Sequence, residues 1–212
     1  MKKIILLFIG LSLFASCEKE ESISNSQLCD DEYYYYSGGS KNYFKHSLYE
    51  VWIEFEQTEV NGEEAKSILE KYSFINTESF NADRNYDRFK AIINDKCDCL
   101  DFKNHLLELN KDSEIYSATP VFYLSEDDPM SYWILLSEVL TKNNDEIISE
   151  PEFINYAETL NLELIESKYS TQQFKVKKVE TGFEALYIAN QIYESGKIEY
   201  SHPNFIAHRT LN

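Results

Sequence analysis

The chain has 212 residues, enough for one domain or two small ones. Its 20 lysines and arginines stand against 37 aspartates and glutamates, a formal charge of −17 that repels phosphate backbones and argues against a nucleic-acid partner. Hydrophobic residues make up 43 % and aromatics 15 %, which supplies a packed core and excludes wholesale disorder.

At the N-terminus, Lys2 and Lys3 precede an apolar run from Ile4 to Ala15, short of the roughly 20 residues a spanning helix needs. Leu13-Phe-Ala-Ser-Cys17 resembles a lipobox, with Phe14 where a leucine is expected. The resemblance makes 1–16 a lipoprotein signal peptide and Cys17 the lipid attachment residue. Loss of Lys2 and Lys3 takes the mature charge from −17 to −19. An ordinary secretory signal is the alternative. Cys17-Glu-Lys-Glu-Glu21 resembles the acidic tag that sends some Gram-negative lipoproteins to the outer face of the outer membrane; its competitor is a charged tether that keeps the linker solvated. The expected location is the outer membrane, at the cell surface, with membrane contact through the lipid.

Residues 17–47 read as a tether. Ser22 to Ser26 is small and polar, Cys29-Asp-Asp-Glu32 is acidic, and Ser37-Gly-Gly-Ser40 is a turn or hinge. Tyr33 to Tyr36 interrupts it, as a short strand whose alternate rings pack on the fold or as an exposed aromatic patch.

Beyond it the chain repeats itself. Trp52-Ile53 recurs as Trp133-Ile134 inside strand-like runs (Tyr49 to Phe55; Tyr132 to Val139). Helical stripes follow at Ala65, Ile68, Leu69, Tyr72 and at Phe153, Tyr156, Ala157, Leu160. The second is announced by a capping box, Ser149 with Glu152, and by Pro151 in its first turn. Phe89-Lys90 recurs as Phe174-Lys175. A further helix comes next in each half, Leu100 to Asn110 behind Asp98 and Asp101, then Thr181 to Ser195. Thr181 and Glu184 form a capping box for the last helix, and Gly196 stops it. Thr119-Pro-Val-Phe122 and His202-Pro-Asn-Phe205 close the halves. The word offsets, Trp52 to Trp133, Phe89 to Phe174 and Pro120 to Pro203, are 81, 85 and 83 residues. Each half reads strand–helix–strand–strand–helix–strand, so the expected class is α+β: two tandem ferredoxin-like (βαββαβ) sandwiches, antiparallel sheets with helices on one face, at 48–126 and 127–212.

Chemistry is sparse. His46, His105, His202 and His208 show no metal-binding spacing, and no nucleophile elbow or glycine-rich phosphate loop occurs. Cys97-Asp-Cys99 lacks the second pair that a structural zinc site wants. A disulfide from Cys29 to Cys97 or Cys99 fits an oxidising compartment, with partly buried thiols as the alternative. The expectation is a non-enzyme with no metal and no cofactor.

The second half is similar to the prodomain of subtilisin-like serine proteases. The residues that carry the resemblance are Phe183 to Gly196, with Ala185-Leu, Ala189-Asn and Tyr193-Glu-Ser-Gly, then Ile198 to His208 with its Pro203-Asn-Phe ending. The first half joins only through the repeat. In that family the prodomain templates folding and inhibits, its C-terminal tail lying in the protease cleft. The resemblance makes Asn204, Phe205, Ile206, Ala207, His208, Arg209, Thr210, Leu211 and Asn212 the protease-binding tail, pairing as an added strand. Phe205 and Ile206, or Leu211, would fill apolar subsites, and Glu184 and Glu194, or the acidic loops, would cap helix N-termini of the partner. With no catalytic domain expected after Asn212, the chain reads as a stand-alone inhibitor, a folding helper or a relic. The competing reading is a surface binding module for another protein or a glycan.

Overall fold

The computed structural model describes residues 28–78, 80–81, 83–94, 97–124 and 131–208. In chain order the elements are β1 (Tyr33–Ser37), β2 (Ser40–Phe55), β3 (Val60–Asn61), α1 (Gly62–Leu69), β4 (Ile75–Asn76), β5 (Asn85–Tyr86), β6 (Arg88–Ile93), α2 (Cys99–Leu109), β7 (Ile115–Tyr123), β8 (Tyr132–Asn143), α3 (Glu150–Thr159), β9 (Leu162–Lys168), β10 (Thr171–Val176), α4 (Glu184–Glu194) and β11 (Ile198–His208). The fold is mixed α and β. One large antiparallel sheet runs β4-β6-β2-β7-β8-β10-β9, with β1 on β2 and β11 on β8; β3 and β5 form a separate small ladder.

Both halves pair their strands alike. In the first, Val51 of β2 lies between Ala91 of β6 and Pro120 of β7. In the second, Val139 of β8 lies between Phe174 of β10 and Pro203 of β11. The proline words therefore mark equivalent positions, but the tryptophan words do not. Pairing matches Val51 with Val139, 88 residues on, whereas Trp52 and Trp133 lie 81 apart. An odd difference in register swaps faces on a strand. Trp52 accordingly packs with Val121, Ile134 and Leu136 on one face, while Trp133 packs into the main core on the other.

That core draws on helices α1 to α4 and on both halves. Ala65, Ile68 and Leu69 of α1, Phe102, Leu106 and Leu109 of α2, Phe153 and Ala157 of α3, and Ala185, Leu186, Ala189 and Ile192 of α4 belong to one cluster with Ile53 and Val139. At the junction β7 and β8 pair directly, Val121 opposite Ile134 and Tyr123 opposite Tyr132, so the sheet is continuous between the halves.

The segment expected as a tether is folded from Leu28 onward. Its polar composition hides isolated anchors: Leu28, Cys29 and Tyr33 are buried. Gly38 and Gly39, both at positive φ, make the two-residue turn that folds β1 onto β2. A boundary at 47/48 falls inside β2, which runs unbroken from Ser40 to Phe55. Tyr33 and Tyr35 face the core, while Tyr34 and Tyr36 face α4, so the tyrosine run is a strand with two different faces. Tyr33 stacks on Phe183 with centroids 4.8 Å apart.

Cys29 is bonded to Cys99, the first residue of α2. The Cys97 thiol donates to the Leu48 carbonyl at 3.0 Å. Asp31 lies beside the two bonded sulfurs, whose bond to each other takes up the thiolates a metal would need.

Helix starts follow their caps. Asp98 accepts from the amides of Leu100 and Asp101 at α2, and the Ser149–Glu152 box stands at α3. At α4 the expected start at Thr181 is corrected to Glu184. Gly182 sits at φ +82, outside the helical region, and a Cβ there would lie 2.4 Å from the Ala118 carbonyl oxygen. Glu184 instead reaches back to the amides of Thr181 at 2.7 Å and Gly182 at 3.0 Å. Gly196, at φ +70, ends the helix as expected.

Candidate functional site

β11 is the element on which the expected site rests. It binds β8 over its whole length, from Ile198 opposite Asn143 to His208 opposite Tyr132. Among the described residues no strand pairs with its other edge. Pro203, which cannot donate to a ladder, is suited to such an edge position.

Asn204, Phe205, Ile206, Ala207 and His208 are thus part of the sheet, so the expected protease-binding tail begins inside β11. The cause is apolar. Phe205 lies among Trp133, Tyr35 and Phe44, with centroids 5.3, 5.6 and 5.9 Å away. A ring held there is withdrawn from any subsite on a partner. Asn204 donates its side-chain amide to Glu138 Oε2 at 2.7 Å, and His208 stacks on Tyr132 at 4.9 Å. Ile206 and Ala207 remain presentable, Ile206 being 37 % exposed. Arg209, Thr210, Leu211 and Asn212, and the lipid attachment residue Cys17, lie outside the described residues.

Of the two acids expected to cap a partner's helices, Glu184 is spent on its own helix. Glu194 is exposed and accepts from the Tyr36 hydroxyl at 2.9 Å and the Tyr34 hydroxyl at 3.5 Å. The donation from Tyr36 to Glu194 holds that phenol's pKa above its ordinary value.

Two features escaped the sequence reading. His46 is wholly buried against Phe102, ring centroids 4.6 Å apart, with Nδ1 2.8 Å from the Ser47 carbonyl. Desolvation pushes its pKa down to about 4, which keeps the ring neutral; Nδ1 then carries the proton and donates. Its alternating partners on β2 predict nothing unusual, so sequence carries no signal for it. The second is a fork between β7 and β10, a cleft of about 260 Å³ lined by Glu54, Arg88, Tyr116, Glu138 and Lys175. Burial raises the Glu54 carboxyl pKa, and Lys175 lies over the Tyr116 ring at 3.6 Å. These residues come from five strands that meet only in the folded sheet.

No family model matches the chain, and no match is found among curated proteins or solved structures.

Proposed function

We propose that the chain is a non-enzymatic protein-binding module of two tandem ferredoxin-like units. In this reading it is tethered to the outer membrane through a lipid on Cys17, and it binds and inhibits, or assists the folding of, a subtilisin-like serine protease. Two sequence features motivate it: the prodomain resemblance at Phe183–His208 and the lipobox ending at Cys17.

The observation that carries the binding mode is the unpaired outer edge of β11 among the described residues. An edge strand offers a row of amides and carbonyls to an extended segment, and backbone pairing of that kind gives affinity while alternate side chains give selectivity. Ile206 is exposed on this strand, and in this reading it enters an apolar subsite. In this reading Arg209–Asn212 continue the strand into the cleft.

The test is inhibition of purified subtilisin-like proteases by the mature chain, by a form ending at His208, and by Ile206→Asp. The shortened form keeps Phe205 in the core, which a truncation at Pro203 does not. The expected result is inhibition by the mature chain that weakens at least tenfold in both variants, the loss of roughly one good contact. Inhibition by none of them, with the fold confirmed by circular dichroism, rejects the reading.

A further inference from the structure

The fork between β7 and β10 carries a site independent of the protease reading. Since β11 occupies one edge of β8 over its whole length, β7 and β10 share the other, β7 at Tyr132 to Ile134 and β10 at Glu138 to Thr141. The two strands part between those stretches, and the cleft of about 260 Å³ opens there. The Tyr116 hydroxyl bridges the gap by donating to the Val176 carbonyl at 2.6 Å.

Two cross-strand pairs of opposite charge line this cleft, one from each half. Glu54 of β2 lies directly opposite Arg88 of β6, and Glu138 of β8 lies directly opposite Lys175 of β10. Residues so placed share a face and stand close enough to join as ion pairs. Neither pair forms. Arg88 turns its Nε to Asp87 at 3.1 Å, and the Lys175 ammonium rests on the Tyr116 ring and makes no ion pair among the described residues. Glu54 takes only long bonds, from Trp52 Nε1 at 3.4 Å and the Ser117 hydroxyl at 3.5 Å. Glu138 accepts through Oε2 from the Gln173 and Asn204 side-chain amides, both at 2.7 Å, and its Oε1 makes no bond among the described residues.

Acids and bases are thus held around one cleft without neutralising each other, and burial already disfavours charge on Glu54. A guest with a single charge satisfies one set and crowds the other: an anion meets Glu54 and Glu138, and a cation meets Arg88 and Lys175. A guest that carries both charges a short distance apart satisfies the two sets together. The cleft is smaller than the roughly 300 Å³ at which ordinary ligand pockets begin, so such a guest is small. We propose that the fork binds a small zwitterion, a free α-amino acid or a dipeptide, whose ammonium faces Glu54 and Glu138 and whose carboxylate faces Arg88 and Lys175. The two sources present the same chemistry at different charge separations, and the test distinguishes them.

The experiment uses the mature full-length protein, labelled with ¹⁵N, titrated with alanine and with alanyl-alanine. N-acetyl-alanine, which lacks the ammonium, and alanine amide, which lacks the carboxylate, are the controls. A guest of this size is expected to bind with a millimolar Kd. Saturable shifts are expected at the backbone amides of Glu54, Arg88, Glu138 and Lys175, with each control at least about tenfold weaker. Lys175→Gln and Glu138→Gln are each expected to weaken binding about tenfold, and Arg88→Gln by a smaller factor. Arg88 is exposed and bonded only to its neighbour Asp87, so its variant keeps the fold, which a thermal melt verifies for all three. Tighter binding of alanine supports a free amino acid as the guest, and tighter binding of alanyl-alanine supports a dipeptide. Binding of either control equal to that of the zwitterions, indifference to Lys175→Gln and Arg88→Gln in folded protein, or no saturable shift with either zwitterion overturns the proposal.

Discussion

Around Val51 the first half sets Ile53 between Phe89 and Ala118; at the matching place around Val139 the second half sets Thr141 between Gln172 and Ser201. The same pairing scheme is therefore filled with apolar side chains on one side and with buried polar ones on the other. Gln172 accepts from the Thr141 hydroxyl at 3.2 Å and donates to Asn143 Oδ1 at 2.9 Å, and Asn143 donates to the Ile148 carbonyl at 2.9 Å. Apolar contacts tolerate slippage as long as volume is kept, whereas a chain of hydrogen bonds is satisfied in one register only. The polar half is the one that holds β11, and a fixed register is what an edge strand needs if a partner is to read it.

The largest expected effect lies in the first half. The Cys29–Cys99 bond spans 70 residues and ties the start of the folded chain to α2. Replacing both cysteines by serine is expected to cost about 4 kcal/mol in the chain-entropy picture, measured by urea unfolding. A loss confined to a few tenths of a kcal/mol would mean that the β1–β2 hairpin holds this segment without the bond.

His46 sits where the halves meet, against Phe102 and Phe122 on one side and Phe183 on the other. Its folded pKa of about 4 lies below the ordinary 6.5, so the unfolded chain takes the proton first. This contribution is complete above pH 6.5 and is lost as pH falls from 6.5 toward 4, by up to about 3 kcal/mol. Glu54 works in the opposite sense: its raised pKa gives stability at low pH that is lost as pH rises through its folded value. His46→Phe should flatten the acid limb of the stability curve between pH 6.5 and 4, and Glu54→Gln should steepen it.

Gln172→Leu strands the Asn143 side-chain carbonyl and leaves the Thr141 hydroxyl only its 3.5 Å bond to the main-chain carbonyl of residue 172, an expected cost of about 2 kcal/mol. The combination Thr141→Val, Gln172→Leu and Asn143→Leu is expected to regain part of it, since it removes all three side chains of the network while taking from the Ile148 carbonyl the donor that Asn143 supplies. In the regained protein, faster amide exchange along β10 and β11 would show that the network specifies register; unchanged exchange would show that it does not.

The smallest effect concerns the helix starts. Glu184 accepts from three backbone amides, those of Glu180, Thr181 and Gly182, and Glu152 from one, that of Ser149. Glu184→Ala should therefore cost about 1 kcal/mol, with Glu152→Ala costing less, both read from melting temperatures.

What the sequence disclosed were features encoded within a few residues. The Gly38-Gly39 turn, the Ser149–Glu152 cap, Gly196 and the apolar stripes of the helices all act locally. Strand face did not follow from the repeated Trp-Ile words, because one residue of slip inverts a strand and β-bulges in β2 and β11 reset the count. The order of Leu28 to Ser47 was hidden because its anchors are single residues in polar surroundings. The choice of Cys99 over Cys97 depends on where α2 begins relative to β2, a long-range distance. Phe205 looked presentable until Trp133, 72 positions earlier, was placed beside it. The bond from the Asn190 side-chain amide to the Tyr34 carbonyl, which ties α4 to β1, joins residues more than 150 positions apart and has no local signature.

Amide hydrogen exchange tests directly the proposal that β11 takes a partner along the edge that no described strand pairs with. Exchange of the mature chain would be followed residue by residue, alone and with a subtilisin-like protease whose catalytic serine is replaced by alanine. The account predicts new protection of outward-facing amides within Tyr200–His208, with β9 and β4 unchanged. Unaltered exchange along β11 in a mixture shown by sedimentation to contain the complex would contradict it.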